Sequence, residues 1–151
     1  MTAKDGRTAQ VIYAGMLRLQ VAPRLRALGF TGSGAAYVFR DDQRWLIVGF
    51  QKDRHSTADS VRFTVNLTTA DKHAWTQARA EQDWLPERPG GNAIYPRANT
   101  IRLGALMPPD GRDRWWEVGA RYASGSAAAQ VLAAIEQFAL PWLRVGVGGR
   151  T

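Results

Sequence analysis

Apolar residues recur at spacings of four and three from Tyr13 through Leu17, Val21, Leu25 and Leu28. That stripe predicts a helix over 8–28. Pro23 lacks an N–H and clashes with the preceding turn, so it must kink the helix or open a second one. Gly29 suits the residue after a helix end. The pattern then changes period. Ala35 to Arg40 and Arg44 to Gln51 are β-rich runs around a polar turn at Asp41, Asp42 and Gln43, which predicts a hairpin. Ser60 to Thr68 predicts a third strand, Asn99 to Leu106 a fourth and Arg114 to Tyr122 a fifth. Asp71 to Gln82 reads as a short helix with Thr69 as its N-cap. Ser124 to Val145 reads as the last helix, with Val131, Ile135, Phe138 and Trp142 on one stripe.

Runs of strands bracketed by helices predict an α+β fold. The expected architecture is one domain over 1–151, with a largely antiparallel sheet of about five strands. The N- and C-terminal helices should pack on one face, with 1–7 and 146–151 flexible. The last helix is long enough to suggest a membrane span, but Glu136, Gln137, Pro141 and Arg144 interrupt it, so a core helix is expected.

The run Arg44 to Gln51 is apolar on both faces, as in a central strand covered on both sides. Paired as a hairpin with 60–68, it is expected to place Trp45, Ile47, Gly49 and Gln51 with Val61, Phe63, Val65 and Leu67 in the core. Arg44, Leu46, Val48 and Phe50 would then share the other face with Arg62, Thr64 and Asn66. The connection 84–98, "WLPERPGGNAIYPRA", is too long for a simple turn and must pack across the domain or carry function.

The motifs "GF" at 29–30, "FQK" at 50–52, "FTVNL" at 63–67 and "DRWWEV" at 113–118 occur in an order similar to that of a bacterial domain-of-unknown-function family, number four-three-zero-four. The resemblance covers nearly the whole chain and implies an α+β domain of unsettled function. It carries over no catalytic residues. A serine that members often have after the Gln-Lys pair is Asp53 here, and a glycine after the Asn-Leu pair is Thr68.

Composition removes some chemistry. Without cysteine there is no disulfide, thiolate nucleophile or thiolate metal ligand. With 45% apolar and 22% charged residues, the body of the chain is a globular domain. The start lacks the apolar core of a secretory signal, so a cytoplasmic protein is expected. The net charge of +7 comes from 17 Arg and 3 Lys, scattered without a run of three. Scatter of this kind is what a GC-rich coding sequence produces, whereas an electrostatic footprint needs clustering.

The tip between strands holds Asp53, His55 and Ser56, the letters of a nucleophilic triad. A triad needs groups converging from a rigid frame, and neighbours on a turn lack that, so a solvated turn is expected. His55 with Asp53 and Asp59 is a thin metal set. The glycines of "GFTGSGAAY" follow a helix, the reverse of a dinucleotide loop. No catalytic residue, metal site or cofactor is assigned.

Trp115 and Trp116 are adjacent, so on a regular strand one enters the core and the other emerges on the second face. Arg62, Asn66 and Arg102 are expected on that face too. Exposed Trp beside Arg is the chemistry of a binding patch. The leading reading is therefore a non-catalytic interaction domain, in a specific form an immunity or regulatory protein, docking an unknown protein partner through its sheet face. The tentative binding residues are Arg62, Asn66, Arg102, Trp115 and Trp116. A nucleic-acid binder is the alternative, and a small enzyme with a site under 84–98 a further one. No membrane partner is expected.

Overall fold

A computed structural model describes residues 7–119 and 124–145. Helix α1 (Ala9–Met16) passes through a π-helical turn (Leu17–Val21) into α2 (Ala22–Ala27). Strands β1 (Phe30–Ser33), β2 (Ala36–Phe39), β3 (Arg44–Lys52) and β4 (Ser60–Asp71) follow, then α3 (Lys72–Glu81). After the connection 84–98 come β5 (Asn99–Arg102), a 3-10 turn (Leu103–Leu106) and β6 (Trp116–Gly119). Helix α4 (Ser124–Ala134), a second π-turn (Ile135–Ala139) and α5 (Leu140–Val145) close the described chain. This is an α+β single domain. The expectations for 1–6, 120–122 and 146–151 fall outside the described residues.

The sheet is antiparallel with order β1-β2-β3-β4-β5, and β6 also pairs with β4. Strand β4 is longer than its pattern predicted because Thr69 continues it, buried, opposite Leu46. Asp71 caps α3 instead, its side chain accepting from the Ala74 N–H at 2.8 Å. β1 was not predicted. It buries only Phe30 and is rich in Gly and Ser, so it has no apolar alternation to read.

Among the described residues, the two prolines inside helices are met by the same device. Pro23 and Pro141 both lie two residues past a π-turn. The wider turn moves the carbonyl that a proline ring would strike and absorbs the missing donor. The N-terminal helix thus continues past Pro23.

The register reverses one expectation. Phe50 opposes Val65 and Val48 opposes Leu67, so Leu46, Val48 and Phe50 share the core face with Phe63, Val65 and Leu67. Trp45, Ile47, Gly49 and Gln51 lie on the second face with Ala70, Thr68, Asn66 and Thr64. A slip of one residue exchanges the faces of a whole strand. Residues from α1, α2, α4 and α5 pack with the core face in one cluster. Its centre is aromatic. Phe63 lies 5.1 Å from the Tyr13 ring, 6.2 Å from Phe50 and 6.0 Å from Trp116. Burial pushes the Tyr13 phenol well above its usual range, and Tyr37 adds to the shift.

β3 is covered on its second face as well. Ala70, Trp75, Ala78 and Leu85 form a small cluster with Trp45, Tyr95 and Ala98 packed against it. Helix α3 and the connection 84–98 supply this layer. No helix among the described residues is long and apolar enough to cross a membrane.

Candidate functional site

The long edge of β4 is shared. Asn66 to Thr69 pair with β5 and Ser60 to Phe63 pair with β6. The chain runs along this edge, leaves it after Arg102 and returns at Trp116. The excursion 103–115 therefore brings its last residues back beside the strand end it left. The Arg114 carbonyl meets Thr64 at the gap, accepting from Thr64 Oγ1 at 2.7 Å.

Trp115 lands there. Its ring is half-buried, with the Arg62 guanidinium carbon 5.1 Å from the ring centre and that of Arg102 5.2 Å away. Both lie within cation–π range. Each guanidinium is anchored. Arg62 Nη1 donates to Asp53 Oδ2 at 2.9 Å, and Arg102 Nη1 to Asp113 Oδ2 at 2.7 Å. Arg102 Nε also donates to Asn66 Oδ1 at 2.7 Å. The side chains of Arg62 and Arg102 stay 47% and 34% exposed, so the anchoring does not bury them.

Asn66 is the hub behind this surface. It is 5% exposed, and its amide donates to Gln51 Oε1 at 2.7 Å and to Asn92 Oδ1 at 2.9 Å. Asn92 in turn donates to the Phe50 carbonyl at 2.9 Å. Gln51, half-buried, and Asn92, exposed, thereby satisfy the buried Asn66 amide. They also fasten the connection 84–98 to the sheet, where Gly91 packs against Gly49.

Of the five residues singled out from the sequence, the structure brings together Arg62, Asn66, Arg102 and Trp115. Trp116 is the member of the pair that enters the core, against Phe63, its partner across the β4–β6 ladder, and so leaves the candidate set. Trp115 precedes the strand rather than belonging to it. Sequence reasoning missed Asp53 and Asp113, the two carboxylates that hold the guanidinium groups. The sequence offers Asp53 to a triad or a metal set and favours a solvated turn, with no sign of its pairing with Arg62. The turn itself is ordered by Asp53 Oδ1, which accepts the His55 N–H at 2.9 Å, and by Ser56, whose hydroxyl accepts the Arg62 N–H at 3.1 Å. The His55 N–H, followed by Arg62, holds the Asp53 carboxyl below the usual carboxylate range. The His55 side chain is 78% exposed, as a solvated tip requires.

Beneath 84–98 the described side chains pack together. Trp75 packs edge-on to Tyr95 at 5.1 Å and donates to the Pro86 and Glu87 carbonyls at 3.1 and 3.2 Å. An open groove of about 520 Å³ lies elsewhere, where Asp42 and Gln43 meet Asp71, Lys72, His73 and Thr76. Among the described residues no group of three or more His, Asp or Glu is placed to hold a metal ion.

The model of a domain of unknown function, DUF4304, matches residues 21–145. The chain belongs to the DUF4304 family. No curated protein and no solved structure shows significant similarity to it. The match begins at Val21 and ends at Val145, so the DUF4304 region takes in both sheet faces and the Trp115 cluster.

Proposed function

We propose that this DUF4304 domain is a protein-interaction module that docks a partner through the second face of its sheet, in an immunity or regulatory role. The carrying observation is the half-buried Trp115 indole beside two half-exposed guanidinium groups held in place by carboxylates. Trp and Arg dominate binding hot spots because each brings a large planar surface at low conformational cost once it is held. Asp53, Asp113 and Asn66 do the holding here, before any partner arrives.

A nucleic-acid reading draws on the same indole. It is disfavoured because each guanidinium already has a carboxylate, and Glu117 stands opposite Arg62 on β6. A phosphate backbone would meet a locally balanced cluster rather than a basic stripe.

Affinity capture with the wild-type chain and with Trp115→Ala and Arg62→Ala tests the proposal. Loss of a hot spot of about 2 kcal/mol weakens binding about 30-fold, so a bound protein should vanish from both variants. Equal recovery by folded variants contradicts docking at this face.

A further inference from the structure

The two carboxylates of the cluster are held differently. Asp53 belongs to its turn: it accepts a backbone N–H as well as Arg62 and its side chain is only 18% exposed. Asp113 is 48% exposed, on the excursion between β5 and β6. Among the described residues, its Oδ2 accepts from Arg102 Nη1 at 2.7 Å and from Trp115 Nε1 at 3.2 Å. A guanidinium N–H and an indole N–H converging on one carboxylate oxygen form a ready-made carboxylate seat.

We propose that Asp113 is a built-in stand-in for the carboxylate of an acidic protein segment, which displaces it from Arg102 and Trp115 on docking. This rests on the docking reading above and names the partner's chemistry. Displacement is easy because an ion pair this exposed is weak. The seat survives it: Arg102 remains aimed through its Nε bond to Asn66 Oδ1, and Asn66 is itself fixed by Gln51 and Asn92. The net charge of +7 favours the long-range approach of an acidic partner, and at the seat one carboxylate replaces another, so the local balance is kept. A tethered competitor lowers the apparent affinity by the fraction of time it occupies the seat.

The test follows the Trp115 indole N–H resonance, assigned with Trp115→Phe, while an acetylated tri-glutamate amide is titrated into the whole chain. The wild type should show a saturable shift. Asp113→Asn should bind about three- to sixfold more tightly, the factor expected when a weak internal pair is removed. Asp113→Ala must give the same order. Asp59→Asn, an equal charge change at an exposed site in the β3–β4 connection, should leave the affinity unchanged. Arg102→Lys, checked for fold by its unfolding curve, should lose the shift. Unchanged or weaker binding by Asp113→Asn and Asp113→Ala overturns the inference. So does equal tightening by Asp59→Asn, or a larger response to a thymidine oligonucleotide than to the peptide. If protein capture still depends on Trp115 and Arg62 while Asp113→Asn binds no tighter, docking stands and only the stand-in role fails. Capture indifferent to Trp115 and Arg62 removes the docking reading itself.

Discussion

Gly49→Ala probes how the second face is built. A Cβ at Gly49 would come within 2.5 Å of the Gly91 carbonyl oxygen and of Asn92 Oδ1. Ordinary contact begins at 3.4 Å, so the connection must retreat by about 0.9 Å. That movement stretches two bonds now at 2.9 Å, from Asn66 Nδ2 to Asn92 Oδ1 and from Asn92 Nδ2 to the Phe50 carbonyl. Each is worth about 1 kcal/mol, and overpacking at a close contact adds about 1–3 kcal/mol. The expected destabilisation is about 3 kcal/mol. Urea unfolding followed by tryptophan fluorescence measures it. Gly15→Ala is the control: it lies in α1, nothing stands within 4 Å of its added Cβ, and a gain of about 0.5–1 kcal/mol is expected. A Gly49→Ala chain within about 0.5 kcal/mol of wild type would show that 84–98 is not seated on β3, and the support behind Asn66 and Arg102 would fall with it.

Phe63→Ala removes the ring at the centre of the aromatic core, fully buried, and should cost about 3–5 kcal/mol in the same unfolding assay. At the tip, His55→Ala should change stability by less than about 0.5 kcal/mol. Ser56→Ala should cost about 1 kcal/mol, because it removes the acceptor of the Arg62 N–H. Asp41 and Asp53 both have carboxyls below the usual range. For Asp41, burial pushes up, but the Gln43 and Arg44 N–H groups and the Arg44 guanidinium outweigh it. A depressed folded-state value contributes stability above the unfolded value of about 3.9 and loses it as pH falls through the folded one. The stability gap between wild type and Asp53→Asn or Asp41→Asn should therefore hold steady from about pH 5 to 7 and close below about pH 4.

Much of the fold is legible in the chain because burial writes itself as period. The stripe from Tyr13 to Leu25 marks the first helix, and the two-sided apolar run 44–51 marks a strand with layers on both faces. The β3–β4 register is less legible. Connection 53–59 decides which parity of β3 opposes which parity of β4, and nothing in a strand apolar on both faces shows its preference. The break between β5 and β6 is hidden for a similar reason. The run Asn99–Leu106 reads as one strand, yet it turns at Leu103 so that Leu103 and Gly104 are buried in a 3-10 turn. Gly104 is required there, since an added Cβ would meet the Arg112 carbonyl oxygen at 2.4 Å.

The site shows the same division. Adjacent tryptophans announce that one must leave the core, and alternation along β4 places Arg62 and Asn66 together. Asp113 gives no such signal, because its place beside Arg102 depends on a return of the chain that only the folded edge of β4 defines.

The central claim is that a protein partner seats beside Trp115. A photocrosslinking side chain at position 114, next to Trp115 in the chain, compared in cells with one at position 19 on the helical layer, tests it directly. Leu19 is 66% exposed and Arg114 is partly exposed, so both positions reach solvent. A discrete protein adduct from position 114, absent from position 19 and lost when Arg62→Ala is added, is the predicted result. Adducts from position 19 alone, or adducts with nucleic acid from position 114, would contradict it.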